Sequence, residues 1–143
     1  MLSKIISCFT RKKATPEKLV PTGKPFVDQK VFMEACDQTT TSMNDSQSDL
    51  YFKLIEEELL ELKEAIKENN EVEKLDAVID ILVVVSGYGL SRGFDMDGAW
   101  KEVMGTNFAK IDKETGKVRK RDDGKVLKPV GWVPPNLTPF LKK

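Results

Sequence analysis

The chain contains no histidine and only two cysteines, Cys8 and Cys36, in 143 residues. The lack of histidine excludes every histidine-dependent catalytic triad, general base and zinc site. The two cysteines form neither a CxxC motif nor a disulfide framework, so we expect a reduced, cytoplasmic protein. Long apolar runs are also lacking: the opening MLSKIISCF is too short for a signal peptide or a membrane span, and no membrane partner is expected.

Acidic and basic residues are equal in number, but they are unevenly distributed along the chain. Residues 49–80 carry a net charge of −7, and residues 110–143 carry +6. This asymmetry predicts an acidic site beside a basic flap or tail. A chain of 143 residues can bury one modest core, so we expect residues 1–143 to form a single domain.

The periodicity of apolar residues in the middle of the chain predicts four helices. They occupy residues 26–38, 48–70, 72–92 and 95–110. The third contains three consecutive valines, which favour a strand, but about twenty residues without a turn signal exceed a typical strand. Residues 1–25 read as an N-terminal extension and linker, and residues 111–143 as a small Asp-Gly hairpin followed by a tail. We therefore predict an all-α four-helix bundle with an extended basic C-terminal tail.

Polar residues and a glycine give the expected ends of these helices. Ser48 or a nearby residue is expected to cap the second helix. Gly93 is expected to end the third helix in a left-handed conformation, and Asp95 or Asp97 to start the fourth.

Carboxylates recur on the second and third helices at spacings that place them on shared faces. At about 100° per residue, Glu73, Asp76 and Asp80 share one narrow face of the third helix. That helix is apolar on every side, so we expect it to be buried together with its acids. On the second helix, Glu57 and Glu61 are close in angle, and Glu58 lies at the edge of the apolar face.

Two helices joined by a short break pack antiparallel, which brings the two sets of acids together. The converging acids are Glu57, Glu58, Glu61, Glu73 and Asp76. Such a cluster needs cations, and oxygen ligands without histidine or cysteine favour Mg²⁺, with Mn²⁺ as the alternative. A helix pair whose acids are neutralised by lysines is the competing structural interpretation.

The order of these acids resembles a known motif. EExxE followed by ExxD on consecutive helices is the metal motif of the all-α NTP pyrophosphohydrolases, the MazG-like superfamily. In this sequence it stands as Glu57-Glu58-x-x-Glu61 and Glu73-x-x-Asp76. Other branches place ExxD one turn later, where Asp80 stands here, but the matching glutamate position is Ala77. Asp80 is therefore predicted to be an extra ligand or a hydrogen-bond acceptor behind the ligands, and the second is preferred.

The resemblance extends over residues 26–137. FMEACDQ is similar to the first helix of the superfamily, and GYGLSRGFDMDGAWKEVMGTNFAK is similar to its fourth-helix region. The recurrent Asn-x-x-Lys of that region stands here as Asn107 and Lys110, preceded by Thr106 in place of a common serine. RDDGKVLKPVGWVPPNL resembles the basic tail of the phage and bacterial branch that acts on deoxynucleotides.

This resemblance implies an enzyme that hydrolyses a nucleoside triphosphate to the monophosphate and pyrophosphate, with water attacking the α-phosphorus. (d)GTP is the preferred substrate prediction, and dUTP is the next. The resemblance also implies a homodimer or homotetramer. The third helix supports the same expectation, because it is apolar on every side and one short chain has too few helices to cover it. A phage-encoded copy would work in the host cytoplasm.

Roles for individual residues follow. Glu58 is predicted to accept the proton of the attacking water, and Asp80 to support it. The residues predicted to bind the substrate are Asn107, Lys110, Lys125 and Lys128. We expect the tail to close over the phosphates when Mg²⁺ and nucleotide are present. The alternative function is a helical module that binds nucleic acid through KVRKRDDGKVLK, but its basic residues are mixed with acids and lack interleaved aromatics.

Overall fold

The computed structural model describes residues 19–141, and four α-helices make up most of this part of the chain. The helices are α1 (Pro25–Ala35), α2 (Asp45–Lys67), α3 (Glu71–Ser91) and α4 (Met96–Phe108). A short 3₁₀ helix, Thr138–Phe140, follows in the tail. Residues 19–141 contain no strand, and two isolated bridges in the tail are the β pairings among them. The predicted all-α fold is confirmed. The opening run MLSKIISCF lies outside the described residues.

The N-terminal end of α2 differs from the expected one. The side chain of Asn44 accepts a hydrogen bond of 3.1 Å from the backbone N–H of Gln47, so α2 begins at Asp45, before Ser48. Ser48 is buried inside the helix instead, and its hydroxyl oxygen lies 2.9 Å from that of Ser91. This pair joins the start of α2 to the end of α3, so the two helices run antiparallel, as predicted.

The C-terminal end of α3 and the start of α4 follow the sequence signals. The side chain of Asn70 accepts the backbone N–H of Glu73 at 3.3 Å, which caps α3. The three valines of α3 are helical, as the length of the segment predicted. Gly93 has a φ of +70° directly after α3, as expected for a left-handed helix end. Asp95 caps α4 by accepting the N–H of Gly98 at 3.0 Å.

The small core lies between α1, α2 and α3. Its buried members are Met33, Tyr51, Val84 and Leu90. The ring of Tyr51 lies so close to Gly87 that a Cβ at that glycine would collide with it, which lets α2 and α3 approach closely. The Tyr51 hydroxyl donates a 2.7 Å hydrogen bond to the side chain of Gln38, so the buried phenol is satisfied.

One side of α3 is open, which contradicts the expectation that this helix is buried on every side. Ala77 and Val84 are buried. At about 100° per residue, the opposite side carries exposed apolar residues. These residues, which we call the open face, are Leu75, Val78, Ile79 and Leu82. Apolar periodicity identifies a face that avoids water, but one chain of this length does not supply enough helices to cover it.

Helix α4 departs from α3 at an angle of 114° and carries the tail. The predicted Asp-Gly hairpin is present: Lys120 pairs with Val126 in an antiparallel bridge, and Gly124 has a φ of +82° in the turn. The tail then returns along α4, where the backbone N–H of Asn136 donates to the carboxylate of Glu102 at 2.9 Å. Within residues 19–141 no single helix is long and apolar enough to cross a membrane; α3 and α4 pass that test only as a bent pair, by length and composition.

Candidate active site

Glu58 is the innermost carboxylate of the site. It is half-buried on the side of α2 that faces α3, and its Oε2 atom is buried without a hydrogen-bond partner. Burial is the largest cause that raises the pKa of Glu58, followed by the negative charges of Glu61, Asp80, Asp76 and Glu57. Four predicted site residues from two helices therefore act on this carboxylate, so α2 and α3 bring the acids together.

The other acids are more accessible than expected. Asp80 is half-buried, whereas the side chains of Glu57, Glu61, Glu73 and Asp76 are exposed. The expectation that the acids of α3 are buried with the helix is wrong for Glu73 and Asp76 in the single chain. Their side of α3 borders α2 but is not covered by it. The site is thus an open acidic surface along the junction of α2 and α3, with the Glu58 carboxylate at its inner edge.

The acids are not neutralised by lysines among the described residues. The ion pairs on α2 and α3 instead involve neighbouring acids, as in Lys67–Glu64 at 3.0 Å and Lys74–Glu71 at 2.6 Å. Both pairs lie at i,i+3 spacing near the helix surface, with Lys74 half-buried, and such pairs contribute little. No ion pair among the described residues therefore offsets the negative charge around Glu58.

The donor set fits Mg²⁺. In residues 19–141, no three Asp, Glu or Cys side chains stand close enough together to form a complete metal cage. Mg²⁺ does not need one, because it keeps several waters and is commonly held by one or two carboxylates together with substrate phosphates. The unpaired Glu58 Oε2 is an oxygen that such an ion would satisfy.

Three of the four predicted substrate-binding residues lie at the C-terminal end of α4. The Lys110 ammonium donates to Asn107 Oδ1 at 2.9 Å, as expected for residues three apart on a helix. The same ammonium lies 5.0 Å from the ring centre of Trp132, and the Lys128 ammonium lies 4.5 Å from it. Lys125 stands apart in the hairpin turn. Two of the four predicted residues, Lys110 and Lys128, are thus brought together at one tryptophan, and a third, Asn107, is bonded to Lys110.

Sequence reasoning assigned Trp132 no role in this basic group. The available signal was the spacing Lys128-x-x-x-Trp132. No hydrogen bond or ion pair within the described part of the chain joins this basic group to the acids around Glu58. The two halves of the predicted site are therefore built on separate elements of one chain.

Residues 29–107, more than half of the chain, match the phosphoribosyl-ATP pyrophosphohydrolase family. The chain belongs to this family. The family lies within the MazG-like all-α NTP pyrophosphatase superfamily, so the predicted superfamily is confirmed. Membership supports a nucleotide pyrophosphohydrolase, an enzyme that acts on phosphoanhydride bonds. No curated protein matches the chain.

The matched range separates the two halves of this pyrophosphohydrolase. All six predicted carboxylates and Asn107 lie inside residues 29–107. Lys110 and the tail lie beyond them, so the resemblance of the tail to the phage branch stays a prediction.

Proposed function

We propose that this pyrophosphohydrolase hydrolyses a nucleoside triphosphate to the monophosphate and pyrophosphate with the help of Mg²⁺. The observation that carries the proposal is the Glu58 Oε2 atom, buried without a partner amid four further carboxylates. An ionised oxygen in such a place is costly unless a cation faces it. A triphosphate that arrives with its metal ion supplies that cation and is itself too negative to approach the acids alone.

The proposed metal ligands are Glu57, Glu58, Glu61, Glu73 and Asp76, with Mn²⁺ as the alternative ion. When bound, Mg²⁺ supplies neutralisation of phosphate charge and lowers the pKa of a coordinated water. Exposed carboxylates at the rim can take up a solvated ion and its nucleotide, whereas a closed cage could not accept the phosphates.

Glu58 is the proposed general base. Water attacks the α-phosphorus, Glu58 accepts the proton of that water at its carboxylate, and the bond to the oxygen bridging to the β-phosphorus breaks. Pyrophosphate leaves with the electron pair of that bond. Asp80, half-buried on α3 and close enough to raise the pKa of Glu58, is the proposed hydrogen-bond acceptor that helps to orient the attacking water.

Asn107, Lys110, Lys125 and Lys128 are the proposed substrate-binding residues. The positive charge of the three lysines offsets the charge that develops on the leaving pyrophosphate, and Asn107 would contact the sugar or a phosphate. Because no hydrogen bond or ion pair within the described residues joins them to the acids of the same chain, either the α4–tail unit closes over the bound nucleotide or a second copy contributes it.

We also propose that the chain works as a homodimer or homotetramer. The open face of α3 supports this, since a contiguous stripe of exposed leucine, isoleucine and valine is costly in water. A second copy that covers this stripe would stand beside the acids, which occupy the neighbouring side of the same helix.

The experiment is a panel of ribo- and deoxyribonucleoside triphosphates, together with phosphoribosyl-ATP, incubated with Mg²⁺ and resolved by ion exchange. We expect a monophosphate and pyrophosphate in equal amounts, with dGTP or GTP turned over fastest and dUTP next. Release of inorganic phosphate, or turnover of phosphoribosyl-ATP alone, would contradict the proposed substrate class. Salt-sensitive binding of a polynucleotide without any turnover would favour the nucleic-acid module instead.

A further inference from the structure

The tail is anchored to the last turn of α4 through Trp132. Its indole N–H donates a 2.8 Å hydrogen bond to the backbone carbonyl of Thr106. That carbonyl is among the last four of α4, which have no partner within the helix. The ring of Trp132 is half-buried. One hydrogen bond thus fixes the ring at the helix end.

Two ammonium groups share this ring. Lys110 comes from the end of α4 and Lys128 from the tail, and they lie 5.0 Å and 4.5 Å from the ring centre. Both distances are within the range in which a cation is attracted to an aromatic face. Because both distances are measured to the same ring centre, the separation of the two ammonium groups cannot exceed the sum of the two distances. Each ammonium group is thus attracted to the same aromatic ring.

Neither ammonium has a carboxylate partner among the described residues. The uncharged acceptor near Lys110 is Asn107 Oδ1, at 2.9 Å. Two compact, unpaired ammonium groups attract an anion of high charge density that offers several oxygens, such as a phosphate chain. The ring of Trp132 also borders a cleft of about 420 Å³ between α4 and the tail, so there is open space beside the ring.

We propose that Trp132 is a positioning residue that holds Lys110 and Lys128 as a pair for the phosphates of the substrate. A lysine side chain is otherwise flexible and pays side-chain entropy when it orders on a ligand. Contact with the ring restricts both side chains before the ligand arrives. This inference rests on the proposed function, because it assigns to the same site the residue that organises its cations.

The experiment measures binding of inorganic tripolyphosphate to the full chain by calorimetry, and KM and kcat for the preferred triphosphate. Trp132→Leu removes the ring, whereas Trp132→Phe keeps an aromatic face without the N–H. Trp100→Leu is the matched control, since no lysine or arginine stacks on Trp100 in residues 19–141. Thermal unfolding and circular dichroism establish that each variant is folded.

We expect Trp132→Leu to weaken tripolyphosphate binding roughly five- to thirty-fold, as two lost cation–π contacts predict, and to raise KM more than it lowers kcat. Trp132→Phe should restore most of the affinity, and Trp100→Leu should bind as the wild type does. Equal affinity in Trp132→Leu and the wild type would overturn the inference, and so would equal losses in Trp132→Leu and Trp132→Phe.

The binding measurement separates this inference from the proposed function. If Lys110→Gln and Lys128→Gln lose affinity while Trp132→Leu does not, the lysines bind phosphate without help from the ring, and the inference alone is wrong. If the wild type turns over no triphosphate, the proposed function is wrong. Loss of tripolyphosphate affinity in Trp132→Leu and its recovery in Trp132→Phe would still support the assignment of Trp132 to an anion site.

Discussion

Replacement of Glu58 by glutamine is expected to stabilise the metal-free protein at neutral pH, although it removes the proposed base. The ionised carboxylate has one oxygen buried without a partner, and four other acids act on it. Glutamine keeps the shape, removes the charge and can donate its amide N–H groups to the carboxylates around it.

The size of the effect follows from burial. A buried polar atom without a partner costs about 1–3 kcal/mol, and the lower end applies because Glu58 is only half-buried. A gain of about 1 kcal/mol raises the melting temperature by about 2–4 °C for a chain of this length. Thermal unfolding monitored by circular dichroism, in buffer with a chelator, measures this shift.

The pH dependence of the folding stability tests the same effect of Glu58 independently. Burial and the neighbouring acids raise the pKa of Glu58 above its ordinary value of 4.5, so the folded state holds this proton to higher pH than the unfolded chain. The stability from protonated Glu58 is fully present below 4.5 and is lost as pH rises through the higher, folded pKa. Glu58→Gln should therefore flatten the decline of stability over that interval.

The matched control is Glu56→Gln, which removes a charge from an exposed residue of the same helix that does not act on Glu58. It should leave the melting temperature nearly unchanged. Mg²⁺ should stabilise the wild type and the control, as a ligand of the folded state does, and should stabilise Glu58→Gln less. A Glu58→Gln protein that melts below the wild type in chelator, with the same pH profile, would refute the reasoning.

Three further results are expected. Glu61→Gln or Asp76→Asn should abolish turnover with the circular dichroism unchanged, because both residues are exposed and proposed as ligands; full activity in either would refute that role. Light scattering at micromolar concentration should give a dimer or tetramer for the wild type and a smaller species for Val78→Glu on the open face, whereas a monomeric wild type would contradict the proposed assembly. Truncation after Ile111 should raise KM and lower kcat together while Mn²⁺ binding, followed by paramagnetic resonance, stays nearly constant; an unchanged KM would exclude the tail from the substrate site.

Much of the fold could be predicted because its signals are local. The cap at Asp95 and the left-handed Gly93 depend on a few neighbouring residues, and the length of α3 outweighed the strand preference of its valines. The start of α2 was placed too late because Ser48 and Asn44 are both good caps. Ser48 does not act as the cap, because its buried hydroxyl pairs with that of Ser91, a residue that is distant in sequence.

Some features of the candidate site could likewise be predicted from the sequence, and others could not. The convergence on Glu58 was predictable, because helical angles and an antiparallel turn determine which acids meet. The exposure of Glu73 and Asp76 was not predictable, because it depends on what covers α3 rather than on the pattern within it. The group around Trp132 was missed since it joins a helix end to a tail that turns back on it, and no periodicity encodes that return.

The most direct test of the central claim is hydrolysis of the preferred triphosphate with Mg²⁺ in water enriched in the heavy oxygen isotope, with mass spectrometry of both products. Attack at the α-phosphorus, with Glu58 accepting the proton of the water, predicts one heavy oxygen in the monophosphate and none in the pyrophosphate. A heavy oxygen in the pyrophosphate, or release of labelled inorganic phosphate in its place, would contradict the proposed reaction.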